Sequence, residues 1–181
     1  MASSLTLPAD ELMVQYARYH RDQRNIATHM VGVPMIVFGL GVLLARGQLD
    51  LGSGSLSLAW LVWTLATLWY LSRGHLLLGL AVSAANALLF GLAHLASAGT
   101  VAHWLSWGLG FFVVGWVIQF IGHYYEGKKP AFADDLVGLL VGPMFVTAEL
   151  LFTLGLARPL QQEVERRAGP TVLRDLAHPV G

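Results

Sequence analysis

The sequence contains no cysteine and unusually little charge. Without cysteine the chain forms no disulfide, thiolate nucleophile or iron–sulfur cluster, so any bound metal must be held by histidine and carboxylate groups. Charged residues make up 12% of the chain, against roughly 25% in soluble domains. Eleven basic and eleven acidic residues give a net charge of zero, which leaves no basic surface for nucleic acid. With 55% hydrophobic residues, the composition excludes a disordered chain and argues against a soluble one.

The few charges divide the chain into long uncharged segments. Three segments contain no Asp, Glu, Lys or Arg: residues 25–45, 51–72 and 74–125. They are 21, 22 and 52 residues long. A helix needs ~20 apolar residues to cross a bilayer. The first two segments are therefore one span each, and the third contains two spans joined by a turn at residues 97–100. This pattern predicts four transmembrane helices.

A fifth apolar segment, residues 136–157, is interrupted by Gly142 and Pro143 and holds one carboxylate, Glu149. It either crosses the membrane or enters and returns. With four spans, ten of the eleven Lys and Arg residues lie on one side, and with a fifth span the division is six against five. Basic residues concentrate in cytosolic segments. We therefore predict a re-entrant or interfacial fifth helix and cytosolic termini.

The sequence thus predicts an all-α, polytopic membrane helix bundle in three parts. Residues 1–24 are expected to form a cytosolic amphipathic helix, residues 25–157 the membrane bundle, and residues 158–181 a polar cytosolic tail. The first part lacks the apolar core of a signal peptide. We expect an integral membrane protein whose partner is the lipid bilayer, in the endoplasmic reticulum if eukaryotic or the inner membrane if bacterial. The sequence leaves open whether the protein forms a homo-oligomer.

Polar side chains inside membrane helices are costly, and they often mark a functional site. They gather at the start of the first span and at the end of the fourth: His20, Asn25 and His29, then Gln119, His123 and Glu126. In the four-span topology these two ends lie at the same cytosolic depth. The three histidines are therefore expected to face one another, with Asn25, Gln119 or Glu126 orienting their rings.

Three neutral imidazoles suit iron, zinc or another divalent ion. A single histidine near a membrane interface is more often structural, whereas three that converge make a metal site an equal alternative. Glu149, the sole carboxylate of the fifth segment, must be protonated, paired or metal-bound. It is either close to the metal or an interfacial carboxylate without a catalytic role. We also expect Asn25 to cap the first span and Gly127 to end the fourth.

These residues resemble the fungal 2-hydroxy fatty acid dioxygenase family of small membrane proteins of the endoplasmic reticulum. The resemblance covers roughly residues 12–158, and its most specific elements are the two polar clusters just described, followed by Pro130, Ala131, Pro143, Phe145 and Glu149. Gly142 departs from the family pattern, and the second and third spans match in character only. Those departures leave the preferred chain length of the substrate open.

The resemblance implies iron(II)-dependent α-oxidation of 2-hydroxy fatty acids with O2, a step of phytosphingosine breakdown that yields an acid one carbon shorter. It makes His20, His29 and His123 the iron ligands or their close supports. The other polar residues of the clusters and the fifth segment are then the catalytic candidates: Glu126, Glu149, Gln119 and Asn25. The fold that the resemblance implies is the same small helical membrane protein.

Two other functions remain open at this stage. A membrane lipid hydroxylase or desaturase of the di-iron type needs more metal ligands than the three clustered histidines. A non-enzymatic membrane scaffold would use the same polar residues only for helix packing. The iron content of the purified protein distinguishes the dioxygenase, the di-iron enzyme and the scaffold.

Overall fold

The computed structural model describes residues 4–129 and 137–176, and it is a bundle of α-helices. In chain order its elements are a 3-10 turn (Ser4–Thr6), α1 (Ala9–Ala17), α2 (Gln23–Ala45), β1 (Gln48–Asp50), β2 (Ser55–Ser57), α3 (Leu58–Leu71), α4 (Leu76–Ala96), α5 (Val101–Glu126), α6 (Gly138–Thr153) and α7 (Arg158–Ala168). The predicted all-α bundle is confirmed. Pro130 and Ala131 of the family resemblance, and the start of the fifth apolar segment at Leu136, lie outside the described residues.

Among the described residues, three helices are long and apolar enough to cross a membrane: α2, α4 and α5. They correspond to the first, third and fourth predicted spans. The second predicted span is shorter than expected, because α3 has 14 residues and reaches only about 21 Å at 1.5 Å per residue. β1 and β2 form an antiparallel hairpin before it. The hairpin turn contains Gly52 at φ +77°, and Asp50 Oδ1 accepts a hydrogen bond from the Gly52 amide at 2.8 Å.

α6 and α7 are bent by 114° relative to each other across a short break. Gly155 and Ala157 within that break adopt positive φ angles of 73° and 52°. The bend excludes one straight crossing by both helices together, as expected of a re-entrant or interfacial segment. The side of the membrane on which the tail lies stays a prediction.

α2 and α5 run antiparallel and form the most extensive helix contact of the described chain. Glycines line the contact on both helices. A Cβ atom added at Gly32 would lie 2.9 Å from the Gly115 carbonyl oxygen, and one added at Gly39 would lie 2.7 Å from that of Gly108. The two backbones therefore touch, as small residues allow in membranes. This approach places the start of α2 beside the end of α5, where the polar residues lie.

α1 is much shorter than the amphipathic helix predicted over residues 1–24. It ends at Ala17, and α2 already begins at Gln23, so residues 18–22 form a loop between the two helices. We call these residues the His20 loop. The buried side chains of α1, among them Met13 and Val14, belong to the core cluster that α6 and α7 share. α1 thus docks on these two helices and fixes where the His20 loop starts.

Candidate metal centre

Three buried histidines meet where the His20 loop, the start of α2 and the end of α5 come together. His20 lies in the loop, His29 in the second turn of α2, and His123 in the last turn of α5. Their residues are 0%, 1% and 6% exposed. One ligand nitrogen of each lies within 4.8 Å of those of the other two. The structure therefore brings together the three histidines singled out in the sequence.

Backbone carbonyl groups hold two of the rings. His20 Nδ1 lies 2.7 Å from the Tyr16 carbonyl oxygen, and His29 Nδ1 lies 2.9 Å from that of Asn25. A carbonyl oxygen only accepts, so each Nδ1 donates its proton to it. In the neutral rings both Nε2 atoms therefore carry lone pairs, and these two atoms are 3.0 Å apart. For these two rings the orienting partners are carbonyl groups and not the side chains of Asn25, Gln119 or Glu126.

This arrangement fits a metal ion. Two lone pairs that face each other at 3.0 Å repel unless a cation lies between them. Two nitrogens bound at ~2.1 Å and at right angles around one ion would be ~3.0 Å apart. Burial lowers the pKa of His20 well below its usual range, which keeps the ring in the neutral form that binds metals. Imidazole ligands suit zinc, copper, iron and nickel, so the donor set indicates a divalent metal without choosing one.

Glu126 fastens the His20 loop rather than joining the three histidines. Its Oε2 atom accepts hydrogen bonds from the Arg21 amide at 2.9 Å, the Asp22 amide at 2.8 Å and Asn25 Nδ2 at 3.2 Å. The residue is 1% exposed. Glu126 therefore ties the backbone next to His20 to the last turn of α5. Hydrogen bonds of this kind to a charged acceptor are stronger than those between neutral groups.

The N-cap of α2 is Asp22 and not Asn25, which corrects the expectation from the sequence. Asp22 Oδ1 accepts a hydrogen bond from the Arg24 amide at 2.8 Å. Asn25 lies inside the helix, and its Nδ2 atom donates to the Tyr19 carbonyl oxygen at 3.0 Å as well as to Glu126. Both residue types cap helices well, so residue type alone could not decide between them. The predicted C-cap of α5 at Gly127 is confirmed by its left-handed φ of 66°.

An apolar, partly open cavity adjoins the histidines between α2, α5 and α6. His29 and His123 line one end, and Val33 and Trp116 are among its apolar walls. Gln119 also lines it and is 4% exposed, and its buried Nε2 atom has no hydrogen-bond partner among the described residues. Binding pockets for small molecules commonly combine apolar walls with a few polar groups. An amphiphilic ligand with oxygen atoms at one end matches this cavity.

Glu149 does not belong to the three-histidine cluster. It lines a second, polar cavity together with Arg21, and its Oε1 atom lies 3.9 Å from Arg21 Nη2. Glu149 thus contacts the neighbour of His20 and not a ring of the cluster. The expectation that its carboxylate lies close to the metal has no contact to support it among the described residues. Three other histidines of the described chain, His75, His94 and His103, also lie outside the cluster.

The C-terminal tail, in which the sequence shows no motif, contacts the His20 loop. The Val172 amide donates to the Arg21 carbonyl oxygen at 2.8 Å, and the Gln23 amide donates to the Val172 carbonyl oxygen at 2.9 Å. The Arg174 amide donates to Asp22 Oδ2 at 2.9 Å. Sequence reasoning missed these contacts, because backbone groups are the same in every residue type.

Comparisons with known proteins agree with the geometry. A family model described as "Mpo1-like: 2-hydroxy-palmitic acid dioxygenase Mpo1-like" matches residues 7–154. The chain is also similar to the 2-hydroxy-palmitic acid dioxygenase MPO1 of Saccharomyces cerevisiae, with 32% identity over 152 residues, which cover 83% of each chain. No solved structure matches the chain significantly. The matched range contains all three histidines and ends before α7 begins.

Proposed function

Because this chain belongs to the Mpo1-like family, we propose that it is an iron(II)-dependent dioxygenase that converts 2-hydroxy fatty acids into acids one carbon shorter. The observation that carries the proposal is the cluster of three buried histidines beside an apolar cavity. The name of the yeast relative, a 2-hydroxy-palmitic acid dioxygenase, supports the substrate class. Three helices long and apolar enough to cross a membrane support a site at a bilayer, where such amphiphilic acids reside.

His20, His29 and His123 would hold the iron. A ferrous ion bound there supplies electrons and open coordination positions for reaction with O2. Conversion of R–CHOH–COOH and O2 into R–COOH, CO2 and H2O balances without an external reductant. No second cofactor is therefore required. The outer ring nitrogens of His20 and His29, fixed by backbone carbonyl groups, keep the inner nitrogens in their metal-binding form.

The protein's own residues would bind and orient the substrate. The apolar cavity accepts the alkyl chain and excludes water, which places the carboxylate and the 2-hydroxyl group at the histidine end. Gln119 Nε2 is a buried donor without a partner in the described part of the chain. It would donate to a carboxylate oxygen of the substrate, which relieves the cost of burying it unpaired. Asn25 and Glu126 hold the His20 loop, and Glu149 acts through Arg21.

The proposal is tested with the purified full chain, iron(II), 2-hydroxypalmitate and O2. We expect equal amounts of O2 and substrate to disappear, with an acid one carbon shorter as the product and no turnover of palmitate. A hydroxylated or desaturated product of unchanged length would contradict the proposal and favour the di-iron alternative. Binding of the acid without any turnover under these conditions would favour the scaffold.

The cavity predicts an effect of chain length that a pair of variants measures. Val37 lines the cavity two helical turns beyond His29, about 12 Å along the helix axis. Val37→Trp should lower kcat/KM for 2-hydroxypalmitate about tenfold or more while sparing 2-hydroxybutyrate, whose chain does not reach this position. Val31→Trp changes the same residue type on an exposed face of α2 and should spare both acids. Equal losses on both acids in Val37→Trp would argue against the cavity as the acyl site.

A further inference from the structure

The tail beyond α7 lies against every part of the chain that carries a histidine of the cluster. We infer that residues 169–174, which we call the tail strap, position the metal centre by holding the His20 loop. The inference rests on the proposed function only in treating the three histidines as metal ligands. The strap lies outside the range that the family model matches, residues 7–154.

Hydrogen bonds to the backbone of Arg21 and Asp22 hold the His20 loop from two sides. On one side the Arg21 carbonyl oxygen accepts from the Val172 amide at 2.8 Å. On the other side the amides of Arg21 and Asp22 donate to Glu126 Oε2 at 2.9 and 2.8 Å. Arg21 Nη1 also donates to the Gly169 carbonyl oxygen at 2.9 Å. The backbone that follows His20 therefore lies between α5 and the strap.

The strap is also attached to the start of α2. The Arg174 amide donates to Asp22 Oδ2, while Arg24 Nη2 donates to the Arg174 carbonyl oxygen at 2.8 Å. The other oxygen of Asp22 caps α2 through the Arg24 amide. One aspartate thus serves both the helix cap and the strap. Movement of the strap would disturb the first turn of α2, one turn before His29.

The side chain of Arg174 reaches the end of α5. A Cβ atom added at Gly127, the C-cap of α5, would lie 2.9 Å from Arg174 Nη1. The strap therefore contacts the loop with His20, the start of α2 before His29 and the end of α5 after His123. A segment that contacts all three supports can fix the distances between the three rings, which a metal site requires.

The test compares backbone hydrogen bonding at two adjacent strap positions in the full chain. Val172→Pro removes the amide that donates to Arg21. Leu173→Pro is the matched control, because Leu173 is 67% exposed and its amide makes no hydrogen bond in the described structure. Val172→Ala keeps the amide and should behave like wild type. Each variant is measured by hydrogen exchange of a peptide covering residues 19–24 and by the dissociation constant of Co(II), a spectroscopic substitute for iron(II).

We expect Val172→Pro to speed exchange in residues 19–24 and to weaken Co(II) binding about five- to tenfold relative to Leu173→Pro, the effect of one lost hydrogen bond. Unchanged exchange would overturn the inference. Faster exchange with unchanged Co(II) affinity would overturn the positioning role and leave a merely structural tail. A wild-type chain that binds neither iron(II) nor Co(II) would overturn the proposed function. The strap would then have no metal centre to position.

Discussion

α2 and α5 contact each other in two regions, and the two contacts depend on opposite properties. In the apolar middle, Gly32 faces Gly115 so closely that neither position has room for a side chain. At the polar end, Asn25 of α2 donates a hydrogen bond to Glu126 of α5 at 3.2 Å. Glu126 also accepts hydrogen bonds from the His20 loop that precedes α2. The comparison indicates that close backbone packing sets the distance between the helices. The polar contacts then hold the His20 loop, and His20 with it, beside the end of α5.

The largest expected effect comes from breaking the glycine contact. Gly115→Leu should lower the free energy of unfolding by about 3 kcal/mol or more, because the added side chain meets backbone atoms that cannot move aside. Gly110→Leu on the same helix is the control, since no atom of the described residues lies within 4 Å of its added Cβ. Denaturant unfolding of both variants in detergent measures the difference. Equal stability would show that the helices do not need this close approach.

A somewhat smaller effect is expected at the polar end. Glu126→Ala leaves the amides of Arg21 and Asp22 and the amide side chain of Asn25 without their acceptor. This should cost about 2–4 kcal/mol of stability and weaken metal binding. Glu163→Ala removes a carboxylate whose ion pair with Arg166 is solvent-exposed and should change both quantities little. If the Glu126→Ala variant binds metal with wild-type affinity, Glu126 does not contribute to metal binding.

The smallest expected effect lies outside both contacts, where α1 meets α7. A hydrogen bond from Arg167 lowers the pKa of Glu11 below its ordinary value of 4.5. A carboxylate with a lowered pKa stabilises the fold above the unfolded value and loses this contribution as the pH falls through the folded value. Thermal unfolding between pH 3 and about 5 should therefore be less pH-dependent in Glu11→Gln. An unchanged pH profile would mean that this exposed pair contributes nothing measurable.

Much of the fold could be predicted because it depends on patterns of residue type. Long uncharged segments indicated α2, α4 and α5, and Gly127 indicated the end of α5. The length of α3 could not be predicted, because the hairpin before it is made by backbone hydrogen bonds, which no pattern of residue types reveals. The glycine contact was also missed. Its residues are spaced by seven along each helix, and only the structure pairs Gly32 with Gly115.

The sequence predicted which residues form the candidate site better than it predicted what each of them does. The depth of His20, His29 and His123 in a four-span topology was enough to predict that they meet. Their partners were not predictable, since the carbonyl groups of Tyr16 and Asn25 orient the rings. The N-cap of α2 was predicted at Asn25 instead of Asp22 because Asp and Asn cap helices equally well. Glu126 was singled out as a catalytic candidate, and its contacts in the structure are with the loop.

The central claim is that the three histidines that meet where the His20 loop, α2 and α5 come together bind one iron ion that the reaction uses. The most direct measurement is the iron content of the purified chain and of single alanine variants, taken together with turnover of 2-hydroxypalmitate. We predict about one iron per chain in the wild type. His20→Ala, His29→Ala and His123→Ala should lose iron and turnover together, and His94→Ala should keep both. Two irons per chain, no iron, or a His123→Ala variant that keeps both iron and turnover would contradict the account.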